Sequence, residues 1–150
     1  MGIMEKLVGL RRFRLARELM LVYGLDIPKE VIVGPGIQLQ HRGMGTVVHP
    51  LTTFGSRVTV YHQVTIGRKD GHIPFEQSAM ERIVIGDDVV LYPGSKILGG
   101  PGITSVGRGT IVAANAVLFS STGEWEIWAG IPARRVGLRP KPGVHSAKTA

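Results

Sequence analysis

Apolar residues return at every sixth position through most of this chain. Ile27, Val33 and Leu39 open the series, and Val48, Phe54, Val60 and Ile66 continue it. After a break come Ile85, Leu91 and Ile97, then Val106, Val112 and Leu118. The residue two before each is mostly small or β-branched, as at Val31, Ile37, Thr52, Val58, Val64, Val89, Ser95, Thr110 and Ala116. Glycine follows several of them, at Gly34, Gly55, Gly67, Gly86 and Gly107. Helices repeat near 3.6 residues and strands near 2, so neither produces a period of six. A triangular solenoid does. Each hexapeptide supplies one short strand and one corner, and three make a coil. The aliphatic side chain points inward and the corner takes glycine or a small residue. The spacing predicts an all-β chain, a parallel β-helix over residues 25–137.

Three interruptions break the period. Leu39 to Val48 is nine residues, as is Ile97 to Val106, which contains Gly99-Gly100-Pro101-Gly102. Ile66 to Ile85 is nineteen, which predicts a loop ejected over residues 68–82. Loops leaving a rigid scaffold are common places for function.

The first 24 residues carry a different pattern. Leu7, Leu10, Leu15, Leu19 and Val22 recur at helical spacing among Lys6, Arg11, Arg12, Arg14 and Arg17, which predicts a helix over 3–23 stopped by Gly24 and Pro28. A helix capping the end of the solenoid is one reading. A basic amphipathic helix lying on a membrane surface is the other. Residues 138–150 read as a basic, proline-containing, disordered tail.

Composition narrows the function classes. The chain has 150 residues, 43% of them apolar and 19% charged, which excludes a largely disordered protein. It has no cysteine, so disulfides, thiolate metal sites and cysteine nucleophiles are excluded. No apolar run approaches the ~18 residues of a membrane span, and no signal-peptide layout is visible. A cytoplasmic location is expected. The net charge of +7 calls for an anionic partner. Its few aromatics are not interleaved with the basic residues, so nucleic acid is not expected. A phosphorylated small molecule or an anionic membrane face accounts for the charge.

Histidine is the candidate chemistry. His41 follows Leu39 by two residues and His62 follows Val60 by two. Leu39 and Val60 are one coil apart, so the two imidazoles stack on one corner of neighbouring coils, whose strands sit ~4.8 Å apart. They either decorate an exposed corner or form a general base with a helper, since a neutral imidazole takes a proton near pH 7. His72, in the ejected loop, is placed to join them in one cleft. Asp26 lies 15 residues before His41, near enough to orient its ring, or else it is a turn aspartate. His49, before Pro50, reads as structural, and nothing is assigned to His145.

Residues 24–137 resemble the bacterial serine acetyltransferases and their relatives that O-acetylate polysaccharides, which are hexapeptide-repeat proteins with a left-handed parallel β-helix. The matching stretches are GLDIPKEVIVGPGIQLQH, VVHP, VTVYHQVTIG, GSKILGG, VGRGTIVAANAVL and AGIPARRVG, the last from Ala129 to Gly137. The resemblance implies a homotrimer that binds acetyl-coenzyme A between subunits. It implies direct attack of an acceptor hydroxyl on the thioester, with His41 as base and Asp26 as its partner. His62 is similar to a histidine of the polysaccharide-modifying branch. Pro93 and Gly94 would line the thiol end of the coenzyme and Ala113 its pantetheine arm. Ala129, Gly130 and Pro132 would form the closing turn, with Arg134 and Arg135 placed for phosphates. Trp125 is expected to cap the solenoid; Trp128 caps it too or borders the coenzyme. No metal is expected. Compared with serine acetyltransferases, the segment before the solenoid is short, and the loop reads Arg68-Lys69-Asp70-Gly71-His72-Ile73-Pro74, so His72 is only a loose match to the serine-touching residue. The bulge after His41 is also a residue longer. These departures move the expected acceptor from serine towards a sugar, polysaccharide precursor or similar alcohol. Two alternatives remain open: a metal-dependent lyase, for which three imidazoles would suit zinc, and a non-catalytic scaffold.

Overall fold

The computed structural model describes residues 2–143. The period of six is realised as four coils of three short strands. The first coil holds β1 (Ile32–Val33), β2 (Gln38–Leu39) and β3 (Val47–Val48). The second holds β4 (Thr52–Phe54), β5 (Thr59–Val60) and β6 (Thr65–Arg68). The third holds β7 (Met80–Ile85), β8 (Val90–Leu91) and β9 (Lys96–Gly99), and the fourth β10 (Gly102–Val106), β11 (Ile111–Val112) and β12 (Val117–Leu118). Strands three apart pair in parallel and build three faces: β1-β4-β7-β10, then β2-β5-β8-β11, then β3-β6-β9-β12. The molecule is a left-handed parallel β-helix.

Register explains the core. Leu39, Val60, Leu91 and Val112 are successive partners on the second face, and Val48, Ile66, Ile97 and Leu118 on the third. All eight are buried. Fully burying such a side chain contributes roughly 1.5–3 kcal/mol. The residues two before them line the interior as well: Val58, Val64, Val89, Ser95, Thr110 and Ala116 are inaccessible. Corners demand a left-handed residue, which is why Gly94 (φ +71°) and Asn115 (φ 55°) stack at one of them.

Both ends are closed. Two helices, α1 (Ile3–Gly9) and α2 (Arg14–Val22), lie over the first coil. Glu5 accepts the N–H of Leu39 at 3.0 Å, and Arg11 donates twice to the carbonyl of Val31, at 2.6 and 3.1 Å. Those groups border an otherwise open sheet edge, and both are satisfied by side chains. The expected single helix over 3–23 is broken at residues 10–13, where Arg11 turns inward. Its buried face is Met4, Val8, Ala16 and Met20, while Leu10, Leu15, Leu19 and Val22 are exposed.

At the other end β13 (Glu126–Gly130) pairs in parallel with β11, and β14 (Ala133–Leu138) folds back antiparallel on it. Coiling therefore stops before residue 137, the expected end of the solenoid. Trp125 is buried, with the guanidinium groups of Arg108 and Arg139 5.9 and 5.7 Å from its ring. The expectation of a disordered tail from 138 fails at its start: Leu138 ends β14, and Arg139 donates to the carbonyls of Asp88 and Gly109 at 2.9 and 3.1 Å. Residues 144–150, including His145, lie outside the described residues.

Candidate active site

Nine residues separate Leu39 from Val48, where six would do. Both flanking strands are locked in register to the next coil, Leu39 to Val60 and Val48 to Ile66. The surplus must leave the wall, and it does so as a tight turn over Gln40–Gly43. Two consecutive residues there are left-handed, His41 (φ 52°, ψ 36°) and Arg42 (φ 61°, ψ 13°), and both are exposed. An L-residue in that region costs roughly 1–2 kcal/mol, and such strain gathers at functional sites.

His62 occupies the same corner one coil on. Its ring centroid is 5.1 Å from that of His41, with the planes nearly perpendicular at 86°. The Nδ1 of His62 is buried without a partner among the described residues. Tyr61 lies 6.4 Å from the His41 ring and stacks on Tyr92 at 5.1 Å and 10°. This tyrosine pair was missed in the sequence. The signal was there, because Tyr61 and Tyr92 each directly follow a core residue, Val60 and Leu91, on paired strands.

Asp26 is exposed and precedes the first coil, bridging to Val47. Its N–H donates to Thr46 and its carbonyl accepts from Val48, both at 2.9 Å. Its backbone thus joins the strand leaving the His41 turn, but no hydrogen bond among the described residues links its carboxylate to His41. His72 does not join the pair. The histidine corner lies between the second and third faces, whereas the ejected loop leaves β6 on the third face and returns to β7 on the first. No described contact joins His72 to either histidine. Among the described residues no three His, Cys, Asp or Glu side chains gather around one point.

The loop is shorter than the expected 68–82, since β6 runs to Arg68 and β7 begins at Met80. Arg68 donates to the carbonyl of Ile73 at 2.8 Å and pairs with Asp70 at 3.4 Å; Ser78 donates to Asp70 at 2.8 Å. Phe75 stacks on His49 at 5.8 Å. Partial burial, and then the Arg68 charge, lower the pKa of His49, with Asp70 opposing. Its Nδ1 accepts the N–H of Leu51 at 3.1 Å. These contacts tie His49 to the base of the loop.

A strip of small residues runs along the solenoid from the histidine corner. The Gly94 N–H donates to the carbonyl of His62 at 3.1 Å, so Pro93 and Gly94 lie one coil beyond it. Ala113 and Ala129 are half-buried; Gly130 and Pro132 lie in the exposed turn into β14. Arg134 and Arg135 are exposed on β14, and Arg135 pairs with Glu126 at 3.6 Å. Trp128 is half-buried against the core and donates its indole N–H to Glu126 at 2.8 Å. A separate groove of about 650 Å³ between α1 and the first coil is lined by Glu5, Arg11, Gly36 and Gln40, and holds neither histidine.

No protein-family model matches the sequence. The chain is 31% identical over 117 residues to serine acetyltransferase 4 of Arabidopsis thaliana, covering 78% of this chain and 30% of that one. It is 30% identical over 126 residues to a serine acetyltransferase of Staphylococcus aureus, covering 84% and 54%. A crystal structure of serine acetyltransferase from Brucella abortus in complex with coenzyme A superposes with a TM-score of 0.71 at 26% identity, covering 91% of this chain and 53% of that one. The chain spans about half or less of the length of these proteins.

Proposed function

We propose that this chain, a relative of the hexapeptide-repeat acyltransferases of the serine acetyltransferase type, transfers an acetyl group from acetyl-coenzyme A to a hydroxyl, with His41 as general base. The observation that carries the reading is the pairing of exposed His41, on a strained turn, with half-buried His62, ring centroids 5.1 Å apart, at the head of a small-residue strip. The acceptor oxygen gives its proton to His41 while it bonds to the thioester carbon. The tetrahedral intermediate then collapses, the carbon–sulfur bond breaks, and the departing thiolate takes the proton back. His62, edge-on to His41, contacts the acceptor or steadies the imidazolium, and Asp26 adds negative charge nearby. Pro93, Gly94 and Ala113 flank the thiol and pantetheine arm, Ala129, Gly130 and Pro132 form the turn beyond, and Arg134 and Arg135 meet phosphates. Much of the rate comes from holding the two substrates together.

Serine is the acceptor that the relatives' names favour, ahead of the sugar suggested by the sequence departures. A sugar remains the second reading because the stacked Tyr61 and Tyr92 offer an apolar flank beside the histidines. The site is read as shared between copies in a homotrimer, closed by cyclic symmetry, and His72 would enter it from a neighbour. Among the described residues no helix is long and apolar enough to cross a membrane.

The test is release of free thiol from acetyl-coenzyme A with L-serine and with a panel of sugars. Acceptor-dependent release, lost in His41→Ala, is expected. No release with any hydroxyl compound, together with no binding of coenzyme A at millimolar concentration, overturns the reading in favour of a scaffold.

A further inference from the structure

We infer that the N-terminal helical pair is a docking surface for an anionic phospholipid bilayer. In α2 the residues turned onto the solenoid are Ala16 and Met20. With a turn of 3.6 residues, Leu19, Leu15 and Val22 continue the same apolar arc outward, and they are 43%, 71% and 80% exposed. Phe13 and Leu10, in the break between the helices, are exposed as well, at 66% and 51%. Eight of the eighteen exposed large apolar side chains of the described chain fall within residues 3–23, so the apolar surface is concentrated at this end. Scattered exposed apolar residues mean little, whereas a contiguous patch marks a contact.

Charge selects the partner. The segment carries Lys6, Arg11, Arg12, Arg14 and Arg17 against Glu5 and Glu18, and Glu5 is held by the Leu39 N–H. The Arg14 side chain is 87% exposed. A second copy placed face to face would crowd these cations around the arc, where the two acids of each segment are already engaged, Glu5 by the Leu39 N–H and Glu18 by Arg14 at 3.7 Å. An anionic lipid surface answers both features at once: the apolar side chains enter the acyl boundary and the exposed Arg12 and Arg14 reach headgroup phosphates. Tyr23, next to Val22, lies under the guanidinium of Arg42, the neighbour of His41, at 5.4 Å. A docked bilayer therefore lies beside the histidine corner. The inference stands apart from the proposed reaction, since it concerns binding alone.

The experiment is cosedimentation of the full chain with vesicles of equal parts phosphatidylglycerol and phosphatidylcholine, and with phosphatidylcholine alone. Binding to the anionic vesicles is expected, at least about tenfold weaker on the neutral ones, and weakened by salt. The double variant Leu15→Glu, Val22→Glu should lose at least about tenfold in partitioning. Arg12→Gln with Arg14→Gln should lose a comparable amount, since each surface arginine accounts for roughly fivefold. All four positions are exposed, so circular dichroism should not change. No cosedimentation with anionic vesicles, or parental binding by Leu15→Glu, Val22→Glu, overturns the inference. So does light scattering that shows a doubled mass abolished by that variant while vesicles stay unbound, because the face would then join two copies.

Discussion

Replacing His41 with glycine separates function from stability in opposite directions. In the folded state His41 sits at φ 52°, ψ 36°, beside a second left-handed residue, Arg42. An L-residue there costs roughly 1–2 kcal/mol. Glycine removes that cost, but its freer unfolded chain takes back roughly 0.4–1 kcal/mol. The His41 side chain is exposed and makes no hydrogen bond among the described residues, so little else is lost. The net expectation is a gain of about 0.5–1 kcal/mol, which for a chain of this size raises Tm by a few degrees, at roughly 2–4 °C per kcal/mol. Activity should fall on the order of 10²–10⁴-fold, the contribution of a positioned general base. His41→Asn, which tolerates the left-handed region without supplying a base, should match the loss of activity with little change in Tm. Thiol release and thermal unfolding on the same preparations check both halves. A His41→Gly protein less stable by more than about 1 kcal/mol would show that the imidazole is structural and refute the strain argument. One that keeps near-parental turnover would refute the base.

Further outcomes follow from the same geometry. His62→Ala should slow turnover strongly, and the double variant with His41→Ala should be little worse than His41→Ala alone, because groups that act as a unit are not additive; additive losses would mean independent roles. Leu91→Ala opens a cavity between Val60 and Val112, whose backbones are pinned by parallel ladders on both sides; it should cost about 3–5 kcal/mol in urea unfolding, the upper part of the range for such truncations. His49 is held neutral, with its pKa lowered from 6.5. Its stabilisation is complete above that ordinary value and is lost as pH falls through the lowered folded value, so Tm should drop more between pH ~7.5 and ~5 in the parent than in His49→Asn. Coenzyme A should bind less tightly as salt rises, because the basic surplus is screened within ~8–10 Å; calorimetry at two ionic strengths measures it. Light scattering should give the mass of three chains, and a strictly monomeric, active protein would contradict the shared groove.

The solenoid was legible because its geometry leaves little choice. A corner every six residues forces the inward position to recur, and the nine-residue gap at Leu39–Val48 had nowhere to go but outward. The His41–His62 pairing followed from the same count, since one coil separates Leu39 from Val60. The helical segment was misread for the opposite reason. Its apolar arc is wide, so Met4, Val8, Ala16 and Met20 fit helical spacing as well as Leu15, Leu19 and Val22, and periodicity alone cannot say which part of the arc packs inward. Arg11 decided it by turning in to the Val31 carbonyl, a long-range contact that no local pattern encodes. That the Asp26 carboxylate makes no hydrogen bond to His41 among the described residues was equally hidden. Fifteen residues is less than one coil, and Asp26 enters as a lone bridge before regular coiling begins.

The position of His72 shows how far one chain can take the chemistry. Ile66 is on the third face, so any loop following it must leave at the corner between the third and first faces, whereas His41 and His62 project from the corner between the second and third. The wall between those corners is a parallel ladder with a buried core, and Arg68, Asp70 and Ser78 tie the loop down at its own corner. No bending of a packed interior carries an imidazole from one corner to the next, because close-packed cores do not deform continuously. Among the described residues of one chain the histidine chemistry is therefore a pair. The His72 imidazole can reach that pair only from a second copy whose loop corner lies against the first copy's histidine corner. That is the arrangement which the cyclic assembly proposed here would provide, and it makes the role of His72 depend on assembly where those of His41 and His62 do not.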